Sequence, residues 1–456
     1  MENMTHKMAK LTNQLKYEDL SQDAIRLVKR FLLDSIGCAF GGRETEDVQI
    51  MLGLFQEMGG REEATVIDCE KKLPMINACL LNSLMIRALD YNDIYWEQDP
   101  SHPSDLIPAA LTPAEVLHKS GKELILAIVL AYEWEQRLCE FAIPGIRERK
   151  WHHATLTQFA APLVAGRILG LTEDEMVHAV GICASHNLTL GAVTAGKLTM
   201  MKNTVDPMAT QAGLFSALLA KRGYEGPAHV LDGKEGLIDA LGGHFELNLL
   251  TDGFGESFRI TKCSMKAFPT EALTHSPISA VIKLMKKNNI DKQDIVEIKI
   301  RTVARAADIL SDPSKYDPQT RETADHSLPY CISATIVDGT VTPQSFIQEK
   351  ICDREIRSYL NKVKVVADAG YEKTFPVLKK AGVEIKCREN KVYRLEVDYP
   401  LGDYRDPMDD NTLYTKFDSM VLPAVGKEKR DRIVAAIHNL EHIADITDFT
   451  NLLRPQ

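Results

Sequence analysis

From Leu73 to Leu89, and again from Glu115 to Glu140, leucine, isoleucine and alanine are packed too densely to line one face of a helix. Segments of this kind form helices buried over much of their circumference, and only a chain with a large interior can hold them. The chain has 456 residues, 45% of them hydrophobic and 26% charged, enough for such an interior and more in keeping with two domains than one. Shorter helical signals surround these segments. Ser21 is an N-cap for a run with Ile25, Val28, Leu32 and Ile36 at helical spacing, closed by Gly41-Gly42. A small-residue helix is expected from Phe159 to Leu169, and Thr172 with Glu175 forms a capping box for a helix through Ser185. After Asn411, Val434, Ile437, Leu440 and Ile443 recur at three-residue steps and predict a terminal helix.

Between these regions the period changes. Val296, Ile298 and Ile300 alternate with Glu297, Lys299 and Arg301, the pattern of a half-buried strand. Val383 to Cys387 and Tyr393 to Tyr399 repeat it across Arg388-Glu-Asn-Lys391, which predicts a hairpin. Helices are expected at Ile278 to Lys286 and Asp353 to Leu360. The fold expected is a large all-α helical domain from residues 1–263 and 405–456, with a smaller α/β domain over 264–404. There is no internal repeat and no low-complexity segment.

A net charge of −10 argues against a nucleic-acid binder. The nine cysteines are scattered without a Cys-x-x-Cys pair, so neither structural zinc nor an iron–sulfur cluster is supported, and their odd number fits a reducing compartment. Met1 to Tyr17 lacks the apolar core of a signal peptide, and no apolar run reaches the roughly 18 residues of a membrane span. The expected location is the cytoplasm. A phosphate loop, a dinucleotide glycine fingerprint, a Gly-x-Ser-x-Gly elbow and a His-Glu-x-x-His motif are all absent. His438 and His442 stand four apart on the predicted terminal helix but lack a companion acid, and they are taken as surface residues.

The chemistry is expected where the helical pattern breaks. Between Asp90 and His102, three aspartates (Asp90, Asp93, Asp99) and His102 crowd together, and Pro100 and Pro103 bracket the histidine and forbid a helix through it. A histidine on a rigid loop beside carboxylates suits acid/base work; the plain alternative is a surface loop with a satisfied histidine. Further polar islands hold His153, Lys202, Lys266, His275 and Asp325-His326. Lys202 and Lys266 sit among Met, Thr, Ala and Phe, where burial of an ammonium calls for an anionic partner such as a polycarboxylate. Gly191-Ala-Val-Thr-Ala-Gly196 ahead of Lys202 would let backbone approach a ligand, or serve as an ordinary helix connection.

Asp90-Tyr-Asn-Asp93 with Ser101-His-Pro-Ser104, Lys202 before Ala-Thr-Gln-Ala-Gly, Lys266-Ala-Phe-Pro, and Ala324-Asp-His-Ser-Leu-Pro-Tyr330 together resemble the MmgE/PrpD family from about residue 20 to 420. That family contains 2-methylcitrate dehydratases, cis-aconitate decarboxylase and an iminodisuccinate epimerase. The resemblance implies a helical domain with an α/β lid, a homodimer, an active site in the cleft between the domains, and no metal or cofactor. It implies catalytic roles for His102, Asp93, Asp90, His153, Lys202 and Lys266, and substrate contacts from Lys202, Lys266, His275 and Tyr330. The expected reaction is metal-independent dehydration of 2-methylcitrate or citrate, with His102 oriented by Asp90 or Asp93, and His153 or a neighbour assisting the leaving group. The acid and base are interchangeable on this reading. Decarboxylation of cis-aconitate, epimerisation of iminodisuccinate, and a non-catalytic metabolite-binding helical dimer are the alternatives.

Overall fold

A computed structural model describes residues 3–195 and 198–455. It is mostly helical with a minor α/β part, and it divides into two compact units, one of residues 1–88, 92–263 and 410–456, the other of 89–91 and 264–409.

In the first unit, α1 (Met4–Gln14) precedes α2 (Gln22–Gly42), α3 (Glu46–Met58) and α4 (Met75–Arg87). A short hairpin, β1 (Asp93–Trp96) and β2 (Pro100–Ser101), leads into α5 (Ile107–Val116) and α6 (Gly121–Glu140). Then come α7 (Ala154–Leu169), α8 (Glu173–Ala184) and α9 (Met201–Ala220). The caps follow the local chemistry: the Ser21 hydroxyl accepts from the Ala24 amide, and Thr172 with Glu175 closes the predicted capping box. An unread box, Ser120 with Glu123, starts α6.

Helices α4 and α6 are buried on nearly all sides, Leu80 to Arg87 and Leu124 to Cys139 without a break. The polar N-terminal stretch is itself helical. In α1, Met8, Ala9 and Thr12 are buried, and α1 packs on α8 and α7. Its few apolar residues were too sparse to stand out, yet they fall on one face. The long C-terminal helix, Asp410–His438, breaks at Gly426, where φ is 71°, and lies along α2. There Lys416 pairs with Asp34 at 2.6 Å in the interior. The predicted terminal helix ends too late: Leu440 and His442 lie past it in a 3₁₀ turn. His438 and His442 therefore do not share a helical face, and both are exposed.

In the second unit a four-stranded sheet runs in the order β4-β3-β5-β6, with β3 Ile295–Thr302, β4 Val363–Ala367, β5 Ala381–Cys387 and β6 Val392–Val397. Strand β3 is parallel to β4 and antiparallel to β5, and β5–β6 is the predicted hairpin. Ile298 faces Ile385 and Ile300 faces Val383, all four buried; each contributes roughly 1.5–3 kcal/mol of burial. Helix α10 (His275–Asn288) packs on β5 and β6 and on α11 (Leu328–Asp338), which packs in turn on α12 (Arg354–Leu360). Strand β4 escaped the period reading because only Val363 of it is buried and the pattern never alternates.

Of the glycine-bounded stretch before α9, Gly191–Thr194 forms a 3₁₀ turn, while Gly196 lies outside the described residues. Among the described residues no helix is long and apolar enough to cross a membrane.

Candidate active site

In the first unit the bracketed histidine lies where the prolines predict, between β2 and a 3₁₀ turn that starts at Pro103. Nδ1 of His102 donates to the main-chain carbonyl of Asp93 at 2.6 Å. A carbonyl can only accept, so the hydrogen is on Nδ1 and a neutral ring carries its lone pair on Nε2. The orienting group is thus the backbone of Asp93. Its carboxylate accepts from the Ser104 amide at 3.0 Å and the Ser104 hydroxyl at 2.7 Å. Burial pushes the Asp93 carboxyl up to about 6, with the Ser104 bonds opposing. Asp99 also holds the chain: it accepts the amides of Ile146 at 2.8 Å and Arg147 at 3.0 Å. Gly145 is required there, since a Cβ would lie 2.6 Å from the Asp99 carboxylate.

That anchored turn delivers His152 and His153 to the start of α7. The His153 ring stacks on His152 with centroids 4.0 Å apart and stands 5.8 Å from the His102 ring. Its Nε2 is 3.3 Å from Oδ2 of Asp206 on α9, which packs against α7, α4 and α8. Lys202 is four residues before Asp206, hence on the same face of α9, and is buried. Burial opposes ionisation of Asp206, but the neighbouring His153 and Arg87 outweigh it and hold the carboxyl below its usual range.

Two further acids complete the surroundings. Asp105 lies with Oδ2 3.6 Å from Nε of Arg87, both buried, and burial raises its carboxyl well above the usual range. Glu135, on α6, accepts from the Thr157 hydroxyl at 2.8 Å and is pushed up to about 8 by burial. None of Asp105, Glu135 or Asp206 stood out in the sequence. For Asp206 there was a usable signal, its spacing of four from Lys202, which places both on one face once the segment is helical; Glu135 and Asp105 sit in runs whose apolar density masks them.

His152, His153 and Asp206 place one ligand atom each within 4.8 Å of one another, the one such group among the described residues. The donor set fits a metal poorly. Nδ1 of His152 accepts from the Ala154 amide at 3.2 Å, and burial, then the charge of His153, lowers the His152 ring well below its usual range. A neutral ring accepting at Nδ1 bears its hydrogen on Nε2 and presents no second lone pair. The arrangement is better described as His153 facing the Asp206 carboxylate with the His152 ring stacked behind it.

The remaining expected residues belong to the second unit. Asp90, at φ 49°, accepts from the Lys266 ammonium at 2.8 Å, and the same ammonium donates to the carbonyls of Asp90 and Thr270, each at 3.1 Å. Both side chains are buried. Nε2 of His275 donates to the Thr270 carbonyl at 3.2 Å, and its ring packs on Phe268. Thus Asp90, Lys266 and His275 are joined through Thr270. Tyr330 makes contacts of its own: its hydroxyl donates to the Ser345 carbonyl at 2.6 Å and its ring is fully buried beside Phe346. The His102 ring is thus bonded to the Asp93 carbonyl, while the Asp93 carboxylate is engaged by Ser104.

Residues 6–250 match the MmgE/PrpD N-terminal domain and residues 268–442 the MmgE/PrpD C-terminal domain. The chain belongs to the MmgE/PrpD family. Asp93, His102, His153, Lys202 and Asp206 all fall within the stretch matched by the family's N-terminal domain, and His275 and Tyr330 within that of its C-terminal domain. This MmgE/PrpD protein is similar to human cis-aconitate decarboxylase, 24% identical over all of this chain and 95% of the relative. It is also similar to a mitochondrial 2-methylcitrate dehydratase of Yarrowia lipolytica, 23% identical over 96% of this chain and 87% of the relative. A 2-methylcitrate dehydratase of Salmonella typhi is 23% identical over 86% of this chain and 84% of the relative.

Proposed function

We propose that this MmgE/PrpD protein is a lyase that dehydrates 2-methylcitrate, and citrate less specifically, to the corresponding cis-aconitate without a metal ion. The observation that carries the reading is the pair of buried histidines whose rings stand 5.8 Å apart, one fixed by a carbonyl and the other facing a carboxylate. Dehydration beside a carboxylate needs a base to take the carbon-bound proton, positive charge to hold the developing enolate, and an acid for the departing hydroxide. His102, with its Nε2 lone pair, takes the proton. His153, as the imidazolium, gives one to the hydroxyl, which leaves as water. Lys202 holds substrate carboxylate or enolate charge. The protein acts as a homodimer in the cytoplasm, with residues 264–404 as a lid domain.

Decarboxylation of cis-aconitate is the second reading. It is supported by similarity to decarboxylases along the whole chain, the human protein at 24% and that of Aspergillus terreus at 23% identity over 99% of this chain. In that reaction a protonated histidine delivers its proton to carbon as carbon dioxide departs.

Proton NMR of chelator-treated protein incubated separately with 2-methylcitrate, citrate, cis-aconitate and iminodisuccinate separates the readings. Formation of 2-methyl-cis-aconitate is expected. Itaconate from cis-aconitate would replace the dehydratase by the decarboxylase, exchange at the iminodisuccinate α-carbon would point to the epimerase, and silence on all four would leave a binding protein.

A further inference from the structure

We infer that the outer face of α9, with the neighbouring face of α3, is the surface through which two copies of this chain pair about a two-fold axis, and that the axis passes Met208. The inference rests on the homodimer of the proposed function and names the surface that forms it.

Helix α9 runs for 20 residues, and the charged side chains it carries, Lys202 and Asp206, are both buried. What it leaves to solvent is apolar. Met201, Met208 and Phe215 are 42%, 40% and 47% exposed, and Gln211, Ala212, Leu218 and Leu219 lie half-buried beside them. A surface helix ordinarily turns charged and polar side chains outward, so an open strip of this composition calls for a partner. Helix α3 adds a second strip: Ile50, Leu54 and Met58 recur at helical spacing and are 57%, 50% and 66% exposed. The two helices adjoin. Asn203 of α9 donates to the Asp47 carboxylate of α3 at 3.2 Å, and both helices pack on α4.

The size of this face suits a second protein. Taking roughly 150–200 Å² for a large apolar side chain in full exposure, those six exposed residues present on the order of 500 Å² of apolar surface. That is about the apolar share of the roughly 800 Å² that each partner buries in a standard interface. The charge pattern selects a second copy over a membrane. Neither helix offers an exposed lysine or arginine, Glu46, Asp47 and Glu57 on α3 are acidic, and the chain carries −10, so an anionic lipid surface would be repelled. A self-pairing face must also meet itself without like charges in contact, and α9 satisfies this along its length. Its spacing sets the geometry. Met201, Met208 and Phe215 stand seven apart, on one line of the helix, with Met208 midway. In an antiparallel pair of α9 helices about a two-fold axis, Met208 meets its own copy, and Met201 of one protomer lies opposite Phe215 of its partner. Lys202 and Asp206 are on the buried side of the same helix, so pairing braces the element that carries them.

The test uses the full-length protein. Sedimentation velocity of the wild type at micromolar concentration should show a dimer. Met208→Asp sets two carboxylates against each other on the axis and should weaken the dimer on the order of 10²-fold or more, with circular dichroism unchanged. Val377→Asp, at an exposed apolar residue of the second unit, should stay dimeric. The axis is located by thiol cross-linking with diamide as oxidant. Met208→Cys alone should give a covalent dimer, whereas Met201→Cys and Phe215→Cys should each give none alone and cross-link when co-expressed. The wild type, in which Cys352 is exposed, is the control. A folded dimer that survives Met208→Asp, or a Met208→Cys dimer that does not cross-link, would overturn the surface named here and leave the homodimer standing. A monomeric wild type would overturn both, and its retention on phosphatidylcholine vesicles would assign the face to a membrane instead.

Discussion

Glu135 offers a direct test of how strongly the buried pocket opposes negative charge. It is 1% exposed, has one hydrogen bond, from Thr157, and burial pushes its carboxyl from the usual 4.5 up to about 8, with Asp206 and Asp93 adding to the effect. The sign follows from proton binding. Below about pH 4.5 the group is protonated in folded and unfolded chains alike and costs nothing. Between 4.5 and about 8 the unfolded chain releases the proton and the folded one keeps it, so stability falls as pH rises. At about 1.4 kcal/mol for each pH unit, the folded state loses at most about 5 kcal/mol across that window.

Glu135→Gln removes this dependence, because the amide is uncharged throughout. Its Nε2 would take the place of Oε2, which has no hydrogen-bond partner among the described residues; that costs about 1–3 kcal/mol at every pH. Urea denaturation of both proteins from about pH 5 to about pH 8 should therefore show the variant weaker at the acid end and gaining on the wild type by several kcal/mol towards the alkaline end. Curves that stay parallel would refute the claim that burial holds Glu135 neutral.

Other outcomes follow from named contacts. Lys416→Met should cost about 3–5 kcal/mol in urea denaturation, because it leaves Asp34 buried without its ion-pair partner. Adding Asp34→Asn should recover a large part of that loss, and a double variant no better than the single would contradict it. Gly145→Ala should cost about 1–3 kcal/mol by pushing a methyl group into the Asp99 carboxylate, seen as a lowered Tm. His102→Gln and His153→Gln should each lower kcat by on the order of 10² to 10⁴-fold with unchanged circular dichroism; near-normal turnover by either would remove that histidine from the mechanism.

The helices were legible where burial is one-sided or total, since period and density are properties of the chain itself. Ser21, the Thr172–Glu175 box and the β5–β6 hairpin all form as their local patterns require. What escaped, α1 and β4, has few buried residues and depends on a neighbour to cover them. The site shows the same division. The prolines around His102 announce a rigid loop because their effect is covalent. They cannot announce which atom of Asp93 meets the ring, because a carboxylate and a carbonyl in one residue are equally close in sequence and only the turn at Ser104 selects between them.

Asp206 was silent for a different reason. An acid in the middle of a helix resembles a solvated residue until it is known that α7 ends its N-terminal turn against that face. Its partner was visible and it was not, although the two side chains meet at 3.3 Å in the interior. The same asymmetry governs the acids nearby. Asp93 and Glu135 have only hydroxyl or amide donors and are pushed up by burial, whereas Asp206 has a cation in contact and is held down. Asp206 thus differs from its buried neighbours in the direction of its shift, which marks the α9 side of the site as the one that favours negative charge. The two histidines differ accordingly in what they meet: His153 faces the Asp206 carboxylate, whereas the His102 ring is held by an uncharged carbonyl, and the proposed division of acid and base between them turns on that difference.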